Sequence, residues 1–191
     1  DWGIHWMDQI LWWTEEQWPK RVASYGGRHI KVDNTTAPDT QVVAFEFDSF
    51  TATWEHRRYA HNRAEKHNIG CYFYGTEGTF HMGWRDGWNF YPVNQNKPVL
   101  HEDPVLHKPD DQNIPELWRN FVDCVETRKR PICDIGIGHR ATTMSLLGML
   151  SLKLGRSVEW DPENQAVVGD DEANAMLRRD YRKPWQYPEP A

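Results

Sequence analysis

The first eight residues, Asp1-Trp2-Gly3-Ile4-His5-Trp6-Met7-Asp8, have the form D-x-G-x-H-x-x-D. On a helix these steps bring Asp1, His5 and Asp8 to one side. A histidine so placed is suited to removing a hydroxyl proton near neutral pH when a neighbour fixes its tautomer. Asp1 is spaced either to be that neighbour or to hold an adjacent substrate hydroxyl. The same pattern also describes a solvated helix face. The pair Asp1 and His5, with Asp8, further permits a divalent metal, although a complete metal site needs ligands from other elements. Gly3 falls in the first helical turn, where a missing side chain admits another backbone or a ligand ring at some cost in helix stability.

The elements that must position these groups can be read from periodicity. Residues Trp2 to Trp13 fit a helix with Ile4, Met7 and Leu11 on one stripe. From Lys20 to Phe90 the pattern becomes strand-like: Arg21 to Tyr25, Gln41 to Phe47, Thr51 to Arg58, Ile69 to Tyr74, Thr79 to Trp84 and Trp88 to Tyr91. Gly26-Gly27, Ala37-Pro38-Asp39 and Thr76-Glu77-Gly78 supply turns. Strands in succession without intervening helices imply an α+β fold with an open, mostly antiparallel sheet and helices packed on one face. Thr51, Thr53, Glu55 and Arg57 alternate onto a polar face. Residues Pro92 to Asp111 read as a surface loop. Two helices follow, one starting near Pro115 and carrying Leu117, Phe121, Cys124 and Val125 toward the core, the other from about Gly138 to Leu154 with Gly155 as its C-terminal cap. A short strand at Ser157 to Trp160 precedes a tail rich in Pro, Trp and Tyr.

Composition narrows the function classes. With 191 residues, 39% hydrophobic and 26% charged, the chain has the make-up of one folded domain, with no apolar run long enough for a bilayer. A net charge of -6 without a basic stripe argues against a nucleic-acid partner. The three cysteines, Cys71, Cys124 and Cys133, lack CxxC spacing and read as reduced thiols. The remaining histidines show no close metal spacing outside the first helix, so no metal is assigned. The eleven tryptophans are the compositional outlier; indoles stack on sugar rings but also fill cores and subunit contacts. The chain opens at Asp1 and enters a patterned segment at once, which reads as an excerpt of a longer protein or a processed chain, and leaves cytoplasmic and periplasmic addresses equally open.

Taken in order, these motifs resemble the C-terminal domain of the Gfo/Idh/MocA superfamily, named for glucose-fructose oxidoreductase and inositol dehydrogenase. The opening segment looks like its catalytic helix, and Thr76-Glu77-Gly78-Thr79 like its G-T-x-G turn. Asp134-Ile135 through Gly138-His139-Arg140 is similar to the start of its long helix. Leu154-Gly155-Arg156, Trp160-Asp161-Pro162, Gly169-Asp170, Glu172-Ala173-Asn174 and Tyr181 to Trp185 are similar to a bacterial subgroup. The resemblance implies an oxidoreductase that moves hydride between a sugar or cyclitol carbon and NAD or NADP, with His5 as general base or acid and Asp1 assisting. The family's E-K-P segment and the G-x-G-x-x-G dinucleotide fingerprint are missing, so the cofactor is expected on a preceding Rossmann domain outside this chain, and the chain alone is expected to be inactive.

For contacts to a sugar-like small molecule, Asp8, Glu55, Arg57, Arg58 and Tyr59 are candidates, with Trp84 as a stacking platform. Glu55 and Arg57 equally fit a salt bridge on their shared face. His139 and Arg140 sit at a helix mouth that could hold an anion, where capping by Asp134 is the simpler reading. The opposite sheet face is expected to form a homo-oligomer. A non-catalytic carbohydrate-binding module is the competing class, and predicts Trp54, Trp84 and Trp88 in one solvent-facing row.

Overall fold

In chain order the elements are α1 (Trp2–Thr14), β1 (Arg21–Gly27), β2 (Thr40–Glu46), β3 (Thr51–Arg57), β4 (Cys71–Tyr74), β5 (Gly78–Met82), β6 (Trp88–Pro92), β7 (Leu100–Glu102), α2 (Ile114–Thr127), α3 (Ile135–Leu154), β8 (Val158–Asp161), β9 (Ala166–Val167) and α4 (Asp171–Ala175). The computed structural model describes residues 2–60, 66–67, 69–105 and 113–188. The antiparallel α+β expectation holds, with the strands divided between two sheets of order β3-β2-β1-β8-β9 and β4-β5-β6-β7. Each sheet belongs to its own compact unit: Asp1–Glu15 with Ala60–Thr142, and Glu16–Tyr59 with Thr143–Ala191.

In the first unit, β4, β5 and β6 form an antiparallel meander in which Cys71 faces Met82, and Phe73 faces Phe80. Side chains alternate across a strand, so these residues share one face, while Tyr72 and His81 share the other. α1 lies on the first face. Trp13 stacks on Phe80 with ring centroids 4.7 Å apart, and the Cys71 thiol approaches the Trp6 carbonyl at 3.8 Å. Burial pushes that thiol up to about 12, so it stays protonated and inert.

In the second unit, Val22, Val43, Phe45, Val158 and Trp160 from the five-stranded sheet are buried together with Met144, Leu147 and Leu150 of α3. The polar groups inside this layer are matched. Ser151 Oγ accepts from the Ser24 amide at 3.0 Å and donates to the Arg156 carbonyl at 2.7 Å. Gln41 Nε2 donates to Ser24 Oγ at 3.0 Å. A buried amide or hydroxyl without such partners would be costly, so the network fixes how helix and sheet meet. Gly155 caps α3 with φ of 68°, the left-handed conformation that Gly adopts without a Cβ clash.

Asp39, only 2% exposed, closes the loop between β1 and β2. Its carboxylate accepts from the backbone amides of His29, Ile30 and Lys31 and from the Thr40 hydroxyl. These bonds favour the ionised form and lower its pKa from 3.8 to about 2, the Ile30 amide being the largest contributor. A depressed carboxylate contributes stability that is present above its unfolded value and lost as pH falls through its folded value. The stability difference between wild type and Asp39→Asn is therefore expected to be constant above about pH 5 and to shrink between about pH 4 and 2. Urea titrations at stepped pH measure it, and a difference independent of pH over that window would contradict the assignment.

Three features depart from the sequence reading. Leu117, Phe121, Cys124 and Val125 are expected in the core, yet α2 buries no residue: Leu117, Phe121 and Val125 are exposed and Cys124 is only partly covered. Its amphipathic period defines an apolar face without supplying a surface to cover it. Within the expected 92–111 loop, β7 pairs with β6. The tail contains β9 and α4, with Asp170 capping α4 through the Ala173 amide.

Candidate active site

α1 is anchored by Trp6, Met7 and Leu11, all buried, which leaves His5 exposed on its outer side. The apolar stripe of this helix thus orients the imidazole by elimination: the face that can be buried is buried. Two indoles flank His5. The Trp2 ring centroid lies 6.2 Å away and that of Trp84 5.8 Å away, both edge-on. Trp84 also meets Trp2 at 5.2 Å and Trp6 at 6.0 Å. It is delivered by the turn after β5, closed by a hydrogen bond from the Gly83 amide to the Gly87 carbonyl at 3.0 Å.

Asp8, one helical turn further on, is half-buried. Burial raises its carboxyl above the ordinary value, while the charges of His5 and Arg140 pull it down. A carboxylate, an imidazole and a guanidinium thus interact electrostatically beside a wall of indoles. Such a set can hold a polyhydroxylated ring on an aromatic face, accept a hydroxyl proton, and orient neighbouring hydroxyls.

The other candidates have different surroundings. Asp1 lies outside the described residues. Glu55 and Arg57, on the exposed face of β3, form an ion pair with each other. Arg58 and Lys31 lie over the Tyr59 ring at 5.6 and 5.4 Å. Those contacts are all within the second unit, whereas His5, Asp8 and Trp84 belong to the first. At the mouth of α3 the Asp134 carboxylate accepts from the Ile137 amide at 2.9 Å, so capping accounts for that helix end. Trp54 meets His56 in the second unit, whereas in the first unit Trp84 meets the first helix and Trp88 the Phe80 ring. The sequence reading passed over Trp2, although its position three residues before His5 on a helix was a usable signal.

Comparison with known families identifies the class. A model described as the oxidoreductase family C-terminal alpha/beta domain matches residues 90–187, and one described as the GFO/IDH/MocA C-terminal domain matches residues 1–81. The chain belongs to the Gfo/Idh/MocA oxidoreductase family and corresponds to its C-terminal region. Among solved structures, it is similar to the putative oxidoreductase yvaA from Bacillus subtilis, with 12% identity and a TM-score of 0.61, covering 83% of this chain and 50% of that one. An oxidoreductase from Agrobacterium radiobacter, in complex with NAD+, L-tartaric acid and magnesium, matches with 13% identity and a TM-score of 0.62, over 83% and 48% of the two chains. The WlbA dehydrogenase from Bordetella pertussis, in complex with NADH and UDP-GlcNAcA, matches with 15% identity and a TM-score of 0.56, over 84% and 44%. The chain therefore spans about half the length of these structural relatives. No curated protein matches it.

Proposed function

We propose that this chain is the substrate-binding and proton-transferring half of an NAD- or NADP-dependent oxidoreductase acting on a hydroxyl or ketone of a sugar or cyclitol. The observation that carries the reading is His5 standing exposed between the Trp2 and Trp84 indoles on a helix otherwise locked to its sheet. The bound nucleotides named for two of the structural relatives support the cofactor class, and the nucleotide sugar of one supports the substrate class. The antiparallel pairing of the described strands supports a reading in which the dinucleotide is held mainly by a further domain. When bound beside this region, a nicotinamide would supply the hydride acceptor.

The work of this chain is then on the proton. His5 takes the hydroxyl proton as the carbonyl forms, or returns it in the reverse direction. Asp1 assists that imidazole, and Asp8 holds a neighbouring hydroxyl. Trp84 packs against the apolar face of the ring, where an indole offers a large area at little entropy cost. Glu55, Arg57, Arg58 and Tyr59 are second-rank contacts in this reading, because they already engage one another or their strand neighbours. The sheet face opposite Glu55 and Arg57, expected to form the homo-oligomer, is instead buried beneath α3. Tyr25 and Val42, exposed on the Glu55 face, support homo-oligomerisation of the full protein through that face, a further reason to rank Glu55 and Arg57 below His5 as substrate contacts.

The test is a nicotinamide-reduction assay of the longer protein carrying this region, against a panel of aldoses, uronates and inositols. Trp84→Ala is expected to raise KM for the best substrate about 5-fold or more, from the roughly 1 kcal/mol of one aromatic packing contact, with a smaller change in kcat. Equal KM values for wild type and variant would remove Trp84 from the site. Absence of any polyol-dependent reduction would overturn the reading as a whole.

A further inference from the structure

On the face of the four-stranded sheet opposite α1, one donor atom each from His67, His81 and Asp86 lies within 4.8 Å of the others. We infer that these three residues bind a divalent first-row transition ion, which braces the turn carrying Trp84. Two imidazoles and one carboxylate form a donor set suited to zinc, cobalt, manganese or iron rather than to calcium or magnesium.

The second observation is an orphan atom. His81 is fully buried, and its Nδ1 has no hydrogen-bond partner. Its Nε2 lies 3.4 Å from the Ile69 carbonyl, so a proton on Nε2 donates there and leaves the lone pair on Nδ1. That is the usual support for a ligating histidine, whose second nitrogen donates to a backbone carbonyl. Both His67 nitrogens have partners, Nδ1 at 3.1 Å from Asp86 Oδ2 and Nε2 at 3.0 Å from the Tyr91 hydroxyl, so an arriving ion takes the place of the proton shared between His67 Nδ1 and Asp86.

The backbone leaves room for these side chains. Gly70 has φ of 138°, and a Cβ there would come within 2.5 Å of His81 Nε2. A Cβ on Gly83 would strike the Asp86 carboxylate. The two imidazoles stack with centroids 3.7 Å apart and planes 10° apart. An ion about 2.1 Å from each donor requires the donors to close to about 3.5 Å. Ion binding therefore requires half-buried His67 to turn out of the stack and exposed Asp86 to follow it. Asp86 and Trp84 sit in the same 83–87 turn, so an ion fixed to Asp86 also restrains the indole beside His5. The ion-binding claim stands independently of the redox reading.

The experiment strips the purified chain with chelator, dialyses it against Co2+ and then Zn2+ at about pH 7.5, and follows metal content with the visible absorption of bound Co2+. One equivalent is expected, with a Co2+ ligand-field spectrum. Asp86→Asn and His67→Gln, both at positions that tolerate polar replacements without emptying the core, should each weaken binding at least 10-fold, the least that losing even a supporting hydrogen bond costs. His101→Gln, on exposed β7, should bind as wild type. Absence of a stoichiometric site, or equal affinity in wild type and in either ligand variant with its circular dichroism unchanged, overturns the inference.

Discussion

Replacing His5 by Asn in the longer protein is expected to lower kcat by about 100- to 10,000-fold while leaving KM within a few-fold of wild type. The reason is the order of events at the substrate hydroxyl. Hydride departure from carbon leaves a proton on oxygen, and without a base at that oxygen the reaction must pass through an oxocarbenium-like species with no relief of charge. Asn fills the space and keeps a hydrogen-bonding group, but cannot exchange a proton near neutral pH. Because His5 is exposed and α1 is held by Trp6, Met7 and Leu11, circular dichroism and thermal midpoint should be unchanged. Wild-type turnover in a folded His5→Asn protein would remove the mechanism.

The second large effect concerns stability. Phe45 is 1% exposed in β2, directly opposite Val22 of β1 and Ala52 of β3. Its neighbours on this face, Val43 and Gln41, abut Gly148 of α3: a Cβ at Gly148 would stand 3.2 Å from the Val43 methyls, and Gln41 Nε2 lies 3.3 Å from the Gly148 carbonyl. Little free volume exists for collapse around a truncated ring. Phe45→Ala should therefore destabilise by about 3–5 kcal/mol, combining lost transfer energy with a residual cavity. Val42→Ala, three residues earlier and on the outer face with 42% exposure, should change stability by about 0.5 kcal/mol or less. Urea titrations of the two variants, monitored by tryptophan emission, make the comparison. Similar midpoints would mean that the sheet does not face α3 as described.

The two predictions draw on different depths of the sequence. Val43, Phe45 and the polar Thr51, Thr53, Glu55 and Arg57 were assigned to faces from alternation alone, and the burial of β2 and β3 follows that assignment. Strand ends were displaced by a residue or two, as at Ile69 and Trp84, since terminal pairing depends on the neighbouring strand. β7, β9 and α4 escaped detection because stretches of three, two and five residues complete too little of a period to be distinguished from loop.

What the sequence determined by itself was local: a helix with His5 and Asp8 on its polar side and Ile4, Met7 and Leu11 on its apolar stripe, and strands whose two faces differ in polarity. Backbone geometry repeats every few residues, so near neighbours declare their common face without help from the rest of the chain. Only the tertiary structure decided that Trp84 returns to His5, that the strands part into two sheets, that α2 leaves its apolar stripe uncovered, and that His67 and Asp86 converge on His81. Those meetings join residues separated by many positions through strand register and a tight turn, and register is set by packing against partners that no short window of sequence contains.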